Sequence, residues 1–163
     1  MFTFTTALPE HAEQIQDVFY RTWLATYPGN AGITVGDVEK RFADRLSEEK
    51  LAKRREEIEN PRPGHHVLVA LHGEKVVGVC RLETGTENRI KAIYVLPEYQ
   101  GKGVGRQLWE KAKEYCDETK ETHVAVATFN TSAIAFYTQL GVVDTGRRFT
   151  EARLRMESGA AIP

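Results

Sequence analysis

The 163-residue sequence has little of what marks several common classes of protein. Its two cysteines, Cys80 and Cys116, are too few and too far apart for a disulfide framework or a cysteine zinc site. No apolar run approaches the ~20 residues that span a bilayer, and no basic region followed by an apolar stretch begins the chain. The formal net charge of −1 gives no general attraction to nucleic acid. We therefore expect two buried thiols, a cytoplasmic location, and neither a membrane nor a nucleic acid as partner.

The residues that are abundant are those of a globular protein. Hydrophobic residues make up 41% of the chain and charged residues 28%, so a packed core is expected. The length fits a single domain over residues 1–163, with a poorly ordered tail at residues 158–163.

Helical periodicity dominates the first third of the chain. After a short alternating strand at Phe2–Thr6, apolar residues at three- and four-residue spacing predict a helix that runs to about Thr26. Thr34 and Asp37 form a capping-box pattern at the start of a second helix. A third helix, rich in charge, is predicted over about Ser47–Glu59.

The rest of the chain has mostly the two-residue period of strands. Six further strands are predicted, at His66–Leu71, Val76–Leu82, Ile90–Val95, Val124–Ala127, Val142–Arg148 and Glu151–Glu157. The first three of these have short connections, which make them antiparallel neighbours. A helix is expected from about Thr131 to Leu140, with Gly141 as its left-handed cap. The pattern predicts an α/β (α+β) fold with one mixed, mostly antiparallel sheet of about 6–7 strands, flanked by helices.

The segment Gln100–Gly105 carries the clearest chemical signal. Its three glycines follow a strand and open a helix, so the backbone can approach a ligand closely and the first helical N–H groups point outward. The helix dipole makes this a site for phosphate, with Lys102 and Arg106 beside it. A Walker loop does not fit, because Gly-Lys-Ser/Thr at the required spacing is absent. A dinucleotide fingerprint does not fit either, because the third glycine comes one position early and the preceding strand is antiparallel to its neighbour.

Two segments carry a resemblance to a known family. Ile93–Gly105 resembles motif A of the Gcn5-related N-acetyltransferase family, whose pattern is Q/R-x-x-G-x-G/A. Asn130–Val142 resembles motif B, N-x-x-A-x-x-F-Y-x-x-x-G-F, with Val142 in place of the usual phenylalanine. With the surrounding elements the resemblance covers nearly the whole chain. It implies acetyl-coenzyme A as donor, no metal, a homodimer as an option, and a splay between the Ile90–Val95 and Val124–Ala127 strands.

The resemblance also implies how the donor is held. The backbone of Ile93–Val95 would bind the pantetheine arm, and the N–H groups of Gly101–Arg106 would bind the pyrophosphate. Asn130 would hydrogen-bond the pantetheine or adenosine side, and Tyr137 would lie near the thioester sulfur. The expected cofactor-binding residues are Ile93, Tyr94, Val95, Gln100, Gly101, Lys102, Gly103, Val104, Gly105, Arg106, Asn130, Ala133, Phe136 and Tyr137.

Acyl transfer to an amine needs an oxyanion donor, an acid and a base. The resemblance implies a backbone N–H near Val95 as the oxyanion donor. We predict Tyr137 as the acid that protonates the departing thiolate, with packing against the cofactor or within the core as the alternative role of its ring.

The base is predicted to be Glu83, which ends its strand and would also contact the acceptor. Glu87 in the following turn is an alternative, as are three histidines without metal-binding spacing, His65, His66 and His72. No carboxylate occurs from Ile90 to Val95, which departs from members that place a glutamate there.

The acceptor side is indicated by Trp23–Gly29, which resembles a segment common in members that act on small amines, including polyamine acetyltransferases. This implies that Tyr27 lines the acceptor pocket. We therefore predict an N-acetyltransferase that acts on a primary amine of a small molecule, polyamine-like or other, by direct attack. The alternatives are a protein lysine or N-terminal acetyltransferase and, in another class, a non-catalytic acyl-CoA-binding regulator.

Overall fold

The structure is a computed structural model that describes residues 1–151, 156 and 158–163. Its strands are β1 (Phe2–Thr6), β2 (His65–His72), β3 (Lys75–Glu83), β4 (Asn88–Val95) and β5 (Thr122–Val124). Its α-helices are α1 (Ala12–Thr26), α2 (Val35–Arg41), α3 (Glu48–Glu59), α4 (Val104–Lys113) and α5 (Thr131–Gln139). Among the described residues, no helix is both long and apolar enough to cross a membrane.

The chain divides into two compact units. The first comprises Met1–Thr22 and Asp44–Ala125, and the second comprises Trp23–Ala43 and Val126–Pro163. The prediction of a single domain stays a prediction, and the two units are described in turn.

The first unit contains the whole described sheet, in the order β1-β2-β3-β4-β5. The first four strands are antiparallel neighbours, and only β4 and β5 are parallel. The predicted mixed, mostly antiparallel sheet with helices is therefore confirmed, with five strands where about six or seven were expected.

Helix α4 packs directly on the middle of β3, because Gly78 has no side chain. A Cβ atom at Gly78 would lie 3.0 Å from Leu108 Cδ1 and 3.3 Å from Val104 Cγ1. Val104 and Leu108 are almost completely buried there. Since Val104 is the first residue of α4, this contact fixes the end of the helix that adjoins the glycine segment.

Strand β4 changes its pairing at Lys91. Leu82 pairs with Ile90 while Arg81 pairs with Ala92, so β4 carries one extra residue, a β-bulge. The parallel pairing with β5 ends at the same level, with Ile90 opposite Val124. From Lys91 onward β4 has no pairing with β5, which itself ends at Val124. The splay expected between Ile90–Val95 and Val124–Ala127 stays a prediction.

The position of β5 differs from the prediction of Val124–Ala127. Asn88, buried at the start of β4, accepts a hydrogen bond from Asp117 N–H and donates to the carbonyls of Asp117 and Lys120. These bonds fix the connection after α4, so that pairing with β4 begins at Thr122 and ends at Val124.

The strand predicted at Val142–Arg148 is wrong, because residues 142–150 form no strand. Asp144 Oδ1 accepts the N–H of Gly146, whose φ is +77°, and both Asp144 carboxylate oxygens accept from Arg148. This local turn replaces the extended backbone that a strand requires. The strand predicted at Glu151–Glu157 lies mostly outside the described residues, and Glu151 forms an isolated antiparallel bridge with Ile162.

In the second unit, the predicted capping box of α2 is confirmed. Thr34 Oγ1 accepts from Asp37 N–H, and Asp37 Oδ2 accepts from Thr34 N–H. Helix α5 ends at Gln139, and the predicted left-handed glycine follows it, since Gly141 has φ of +88°.

The last residues, for which the sequence predicts poor order, also make contacts within the second unit. Ser158 donates to Asp37 through both its N–H and its hydroxyl group. Pro163 O accepts from Thr128 N–H, and the Ile162 side chain is buried.

Candidate active site

The glycine segment forms an open turn between β4 and α4. Gly101 and Gly103 have φ of +74° and +81°, the left-handed region that side chains disfavour. A Cβ atom at either residue would have nothing within 4 Å, so the space beside the backbone is open to a ligand. Gly103 is the N-cap of α4, and no side chain caps the helix there.

The N–H groups of this turn are available as donors. Among the described residues, no backbone N–H from Gly101 to Arg106 donates to a protein acceptor. The first N–H groups of a helix have no partner within the helix and carry the positive end of its dipole. The exposed cations of Lys102 and Arg106 flank them. These residues therefore fit a pyrophosphate, and the site has the donors that coenzyme A requires.

The exposed residue Gln100 makes a side-chain hydrogen bond to the end of β4. Its Nε2 donates to the carbonyl oxygen of Val95 at 2.9 Å, which ties the start of the glycine segment to the end of β4. Leu96 N–H donates to Val77 O at 2.9 Å, so the backbone directly after β4 is also fixed.

The residues just before Gln100 join the segment to several elements of the first unit. Arg21 Nη2 of α1 lies 2.9 and 3.0 Å from the two carboxylate oxygens of Glu98. The pKa of this carboxyl group is lowered, mainly by a hydrogen bond from the Glu98 backbone N–H. The charges of Arg21 and Lys75 lower it further. Tyr99 Oη lies 3.2 Å from His72 Nδ1. Sequence reasoning missed Glu98 and Tyr99 as functional candidates, although both adjoin the motif that it selected.

The pantetheine-binding residues predicted on β4 lie where this strand pairs with β3 but not with β5. Ile93 and Tyr94 are partly exposed and Val95 is buried. Tyr94 packs edge to face on Phe19 of α1, with ring centroids 5.3 Å apart. Beyond Ile90 this part of β4 has no pairing with β5, so the backbone groups on that edge can receive an extended chain.

Glu83 lies close to the bulge of β4. Its Oε1 is 4.0 Å from Lys91 Nζ and 3.7 Å from His65 Nδ1, and the side chain is about one-third exposed. The alternative carboxylate, Glu87, pairs instead with Arg89 and is 3.5 Å from His123. The structure thus brings Glu83, and not Glu87, to the residue where β4 and β5 part.

Burial determines the properties of His66 and of the two cysteines. Burial, and then His65, lower the pKa of His66, whose ring lies 4.8 Å from that of Tyr115. Burial raises the pKa of Cys80 to about 12, so this thiol is protonated and inert, whereas Cys116 is only partly buried. Among the described residues, no group of three histidine, cysteine or carboxylate side chains is arranged to hold a metal.

The motif B residues lie on α5 in the second unit. Asn130 is the N-cap, and its Oδ1 accepts from Ala133 N–H at 3.1 Å. Tyr137 is buried and packs edge to face on Phe136, with centroids 5.0 Å apart. The side chain of Asn130 therefore has a visible structural role besides its predicted cofactor contact.

Tyr27 belongs to an aromatic cluster of the second unit. Its ring lies 4.3 Å from that of Trp23 and 5.5 Å, edge to face, from that of Phe129. Phe42 also packs on Trp23, and the guanidinium of Arg41 lies 4.8 Å from the centroid of a Trp23 ring. Trp23 is therefore a packing residue, and Tyr27 is a partly exposed ring beside it.

Comparisons with known proteins agree with this geometry. The family model described as acetyltransferase (GNAT) family matches residues 19–142. A thialysine N-epsilon-acetyltransferase of Caenorhabditis elegans is 26% identical, with 99% of this chain and 94% of that protein covered. The structure of the PaiA N-acetyltransferase from Thermoplasma acidophilum in complex with coenzyme A has a TM-score of 0.69 at 19% identity, covering 99% of this chain and 96% of that one. The aminoglycoside N-acetyltransferase AAC(6')-Iy in complex with coenzyme A has a TM-score of 0.67 at 15% identity, covering 91% and 92%.

The fold is shared with acetyltransferases whose structures contain coenzyme A. The chain belongs to the GNAT acetyltransferase family. It is an N-acetyltransferase, and its donor is acetyl-coenzyme A.

Proposed function

We propose that this enzyme transfers the acetyl group of acetyl-coenzyme A to a primary amine of a small molecule. The observation that carries the proposal is the likeness to the thialysine N-epsilon-acetyltransferase, which extends over 99% of this chain. Thialysine is an amino acid with an amine at the end of its side chain, and this defines the class of acceptor we infer. The likeness in fold to an aminoglycoside N-acetyltransferase supports the same general class.

The charges near the β4 bulge favour an acceptor of low net charge over a polycation. Lys91 lies beside Glu83, and Arg89 pairs with Glu87, so each carboxylate there is matched by a cation. A polycationic acceptor would be drawn to a surplus of carboxylates, which this part of the sheet does not offer. An amino acid, with both signs of charge, fits a balanced surface better.

In the mechanism we propose, acetyl-coenzyme A supplies an acetyl group activated as a thioester. Glu83 takes a proton from the acceptor ammonium, which frees the nitrogen lone pair for attack on the carbonyl carbon. A backbone N–H near Val95 donates to the carbonyl oxygen as negative charge develops on it. The C–N bond forms first, and the C–S bond then breaks while Tyr137 Oη gives a proton to the sulfur. The nitrogen, which is positively charged after the attack, releases its second proton to solvent, and solvent returns a proton to Tyr137. Tyr27 provides an aromatic wall for the acceptor.

A panel of acceptors tests the proposal. Release of the free thiol from acetyl-coenzyme A is followed with thialysine, lysine, spermidine, an aminoglycoside and a lysine-containing peptide, and the acetylated product is identified by mass spectrometry. We expect the highest kcat/KM with thialysine or lysine. Turnover of the peptide alone would indicate a protein acetyltransferase. Tight binding of coenzyme A without turnover of any amine would indicate a non-catalytic acyl-CoA-binding regulator.

A further inference from the structure

Tyr99, next to the glycine segment, contacts side chains of three strands. Its ring packs against those of Phe2 and His72, at centroid distances of 6.1 and 5.6 Å. Its hydroxyl group reaches His72 Nδ1 at 3.2 Å. Two ammonium groups, of Lys75 and Lys102, each lie 5.2 Å from its ring centroid. Tyr99 therefore links β1, the end of β2 and the start of β3 to a lysine in the middle of the glycine segment.

Lys102 stands in a glycine-rich segment of exposed backbone. It lies between Gly101 and Gly103, both with positive φ, and its side chain is exposed. Glycine-rich backbone and a four-carbon side chain both lose much conformational freedom when a ligand fixes them. Among the described residues, no carboxylate lies within ion-pair distance of Lys102, so the described contact of its ammonium is the face of Tyr99.

We propose that Tyr99 is a positioning residue, which holds the ammonium of Lys102 at the phosphate-binding turn before the donor arrives. The negative face of the aromatic ring attracts the cation without neutralising it, whereas a carboxylate would cancel the charge. A phosphate then meets a cation whose side chain is already ordered, so less entropy is lost on binding. This inference concerns the donor only and does not depend on the proposed acceptor.

Lys75 provides the matched comparison within the same cluster. Its ammonium lies at the same distance from the Tyr99 ring, but it is also 3.7 Å from Glu98 Oε1. It begins β3, outside the glycine segment. Its charge is therefore shared with a carboxylate, and we expect it to contribute little to donor binding.

The test compares variants at these positions with two donors. Acetyl-coenzyme A carries the phosphates, and S-acetylpantetheine carries the same thioester without them. KM is measured for both donors at saturating acceptor, and the Kd of coenzyme A is measured by calorimetry without any acceptor. Calorimetry keeps the test valid even if the proposed acceptor class is wrong.

A cation–π contact at an exposed site corresponds to about a two- to fivefold change in affinity. We expect Tyr99→Leu to raise the KM for acetyl-coenzyme A and the Kd of coenzyme A by about this factor, with kcat and the KM for S-acetylpantetheine unchanged. Tyr99→Phe keeps the ring and should keep the affinity. Lys102→Met should weaken coenzyme A binding at least as much as Tyr99→Leu, and the double variant should be no weaker than Lys102→Met alone. Lys75→Met should leave all of these constants unchanged.

Several results would overturn the proposal. If Tyr99→Leu raises KM equally for both donors, the ring is only structural. If it lowers the Kd of coenzyme A, the ring competes with the phosphates for Lys102. Additive effects of the two single variants would show that Tyr99 does not act through Lys102. Should the leucine variant fail to fold, fluorinated phenylalanines at position 99 keep the shape and weaken the cation contact, and the Kd must then rise with the number of fluorine atoms.

Discussion

The carboxylate of Glu83 and the ammonium of Lys91 lie 4.0 Å apart, on neighbouring strands, where β4 bulges and its pairing with β5 ends. The bulge places Lys91 opposite no residue of β3, so Glu83 at the end of that strand can reach it. Strand β4 has no carboxylate of its own, and Glu83 of β3 places one beside Lys91.

If Glu83 is the base, Glu83→Gln should lower kcat by about a hundredfold or more near pH 7, because the acceptor then stays protonated. The deficit should shrink as the pH approaches about 10, where an amine loses its proton to solvent. A profile of kcat against pH for both proteins measures this. Glu87→Gln is the matched control, since Glu87 pairs with Arg89 away from Lys91, and should change kcat less than about twofold. Equal losses in the two variants would argue against Glu83 as the base.

Tyr137→Phe removes one hydroxyl group and keeps the buried ring. We expect kcat to fall by about ten- to a hundredfold, toward the low end for an acid because a thiol of pKa ~8.5 leaves readily. The Kd of coenzyme A, measured by calorimetry, should not change. An unchanged kcat would exclude the acid role and leave Tyr137 with a packing role, which includes its contact with Phe136.

Gln100→Met keeps the length of the side chain and removes the hydrogen bond to Val95 O. Loss of a single such bond costs about 1 kcal/mol. If the bond holds the end of β4 in the geometry that catalysis requires, kcat/KM should fall by roughly fivefold. The same loss in the free energy of unfolding, with kcat/KM unchanged, would show that the bond only stabilises the fold. Urea unfolding and steady-state kinetics on the same preparations separate the two outcomes.

Alanine substitutions of the two glycines at the start of α4 should have opposite effects on the free energy of unfolding. Gly103→Ala forces a side chain into φ of +81° and should lower the free energy of unfolding by about 1–2 kcal/mol. Gly105→Ala lies within the first turn of α4 and should raise the free energy of unfolding by up to about 1 kcal/mol. Both should weaken coenzyme A binding if the donor contacts this backbone. Unchanged Kd values in both variants would contradict the pyrophosphate site.

Asp37 provides a prediction on stability. Hydrogen bonds, first from Thr34 N–H and also from Ser158, lower its pKa from 3.8 to about 2 in the folded protein. A depressed folded pKa stabilises the protein above the unfolded value of 3.8, and this contribution is lost as the pH falls toward 2. The difference in Tm between the natural protein and Asp37→Asn should therefore be largest above about pH 5 and should vanish near pH 2. A difference that stays constant over this range would assign the effect to packing instead.

Local signals in the sequence predicted the elements whose stability is local. The Thr34–Asp37 capping box and the glycine cap at Gly141 involve residues only a few positions apart, so the local sequence is enough to predict them. The turn that excludes a strand at Val142–Arg148 is also local, but Asp144 and Gly146 were outweighed by the apolar and β-branched residues around them.

Features that depend on distant partners could not be predicted. The register of β5 is fixed by Asn88, which bonds Asp117 and Lys120 about thirty positions further along the chain. The bulge at Lys91, which brings Glu83 to the end of the β4–β5 pairing, arises from the pairing of two strands and has no signal in either alone. The glycine motif predicts where the donor binds from local sequence alone, but the contacts of Tyr99 with β1 and β2 exist only once the sheet has formed.

Gly78 shows how far from a ligand the determinants of its affinity can lie. This residue is buried under α4, where even a methyl group would meet Leu108 and Val104 at 3.0–3.3 Å. A larger side chain would lift the first turn of α4 from the sheet, and with it the N–H groups that we predict to bind the phosphates. A mutational scan scored only by donor affinity would therefore group residue 78 with residues that contact coenzyme A, although its effect comes only from the packing of α4 on the sheet.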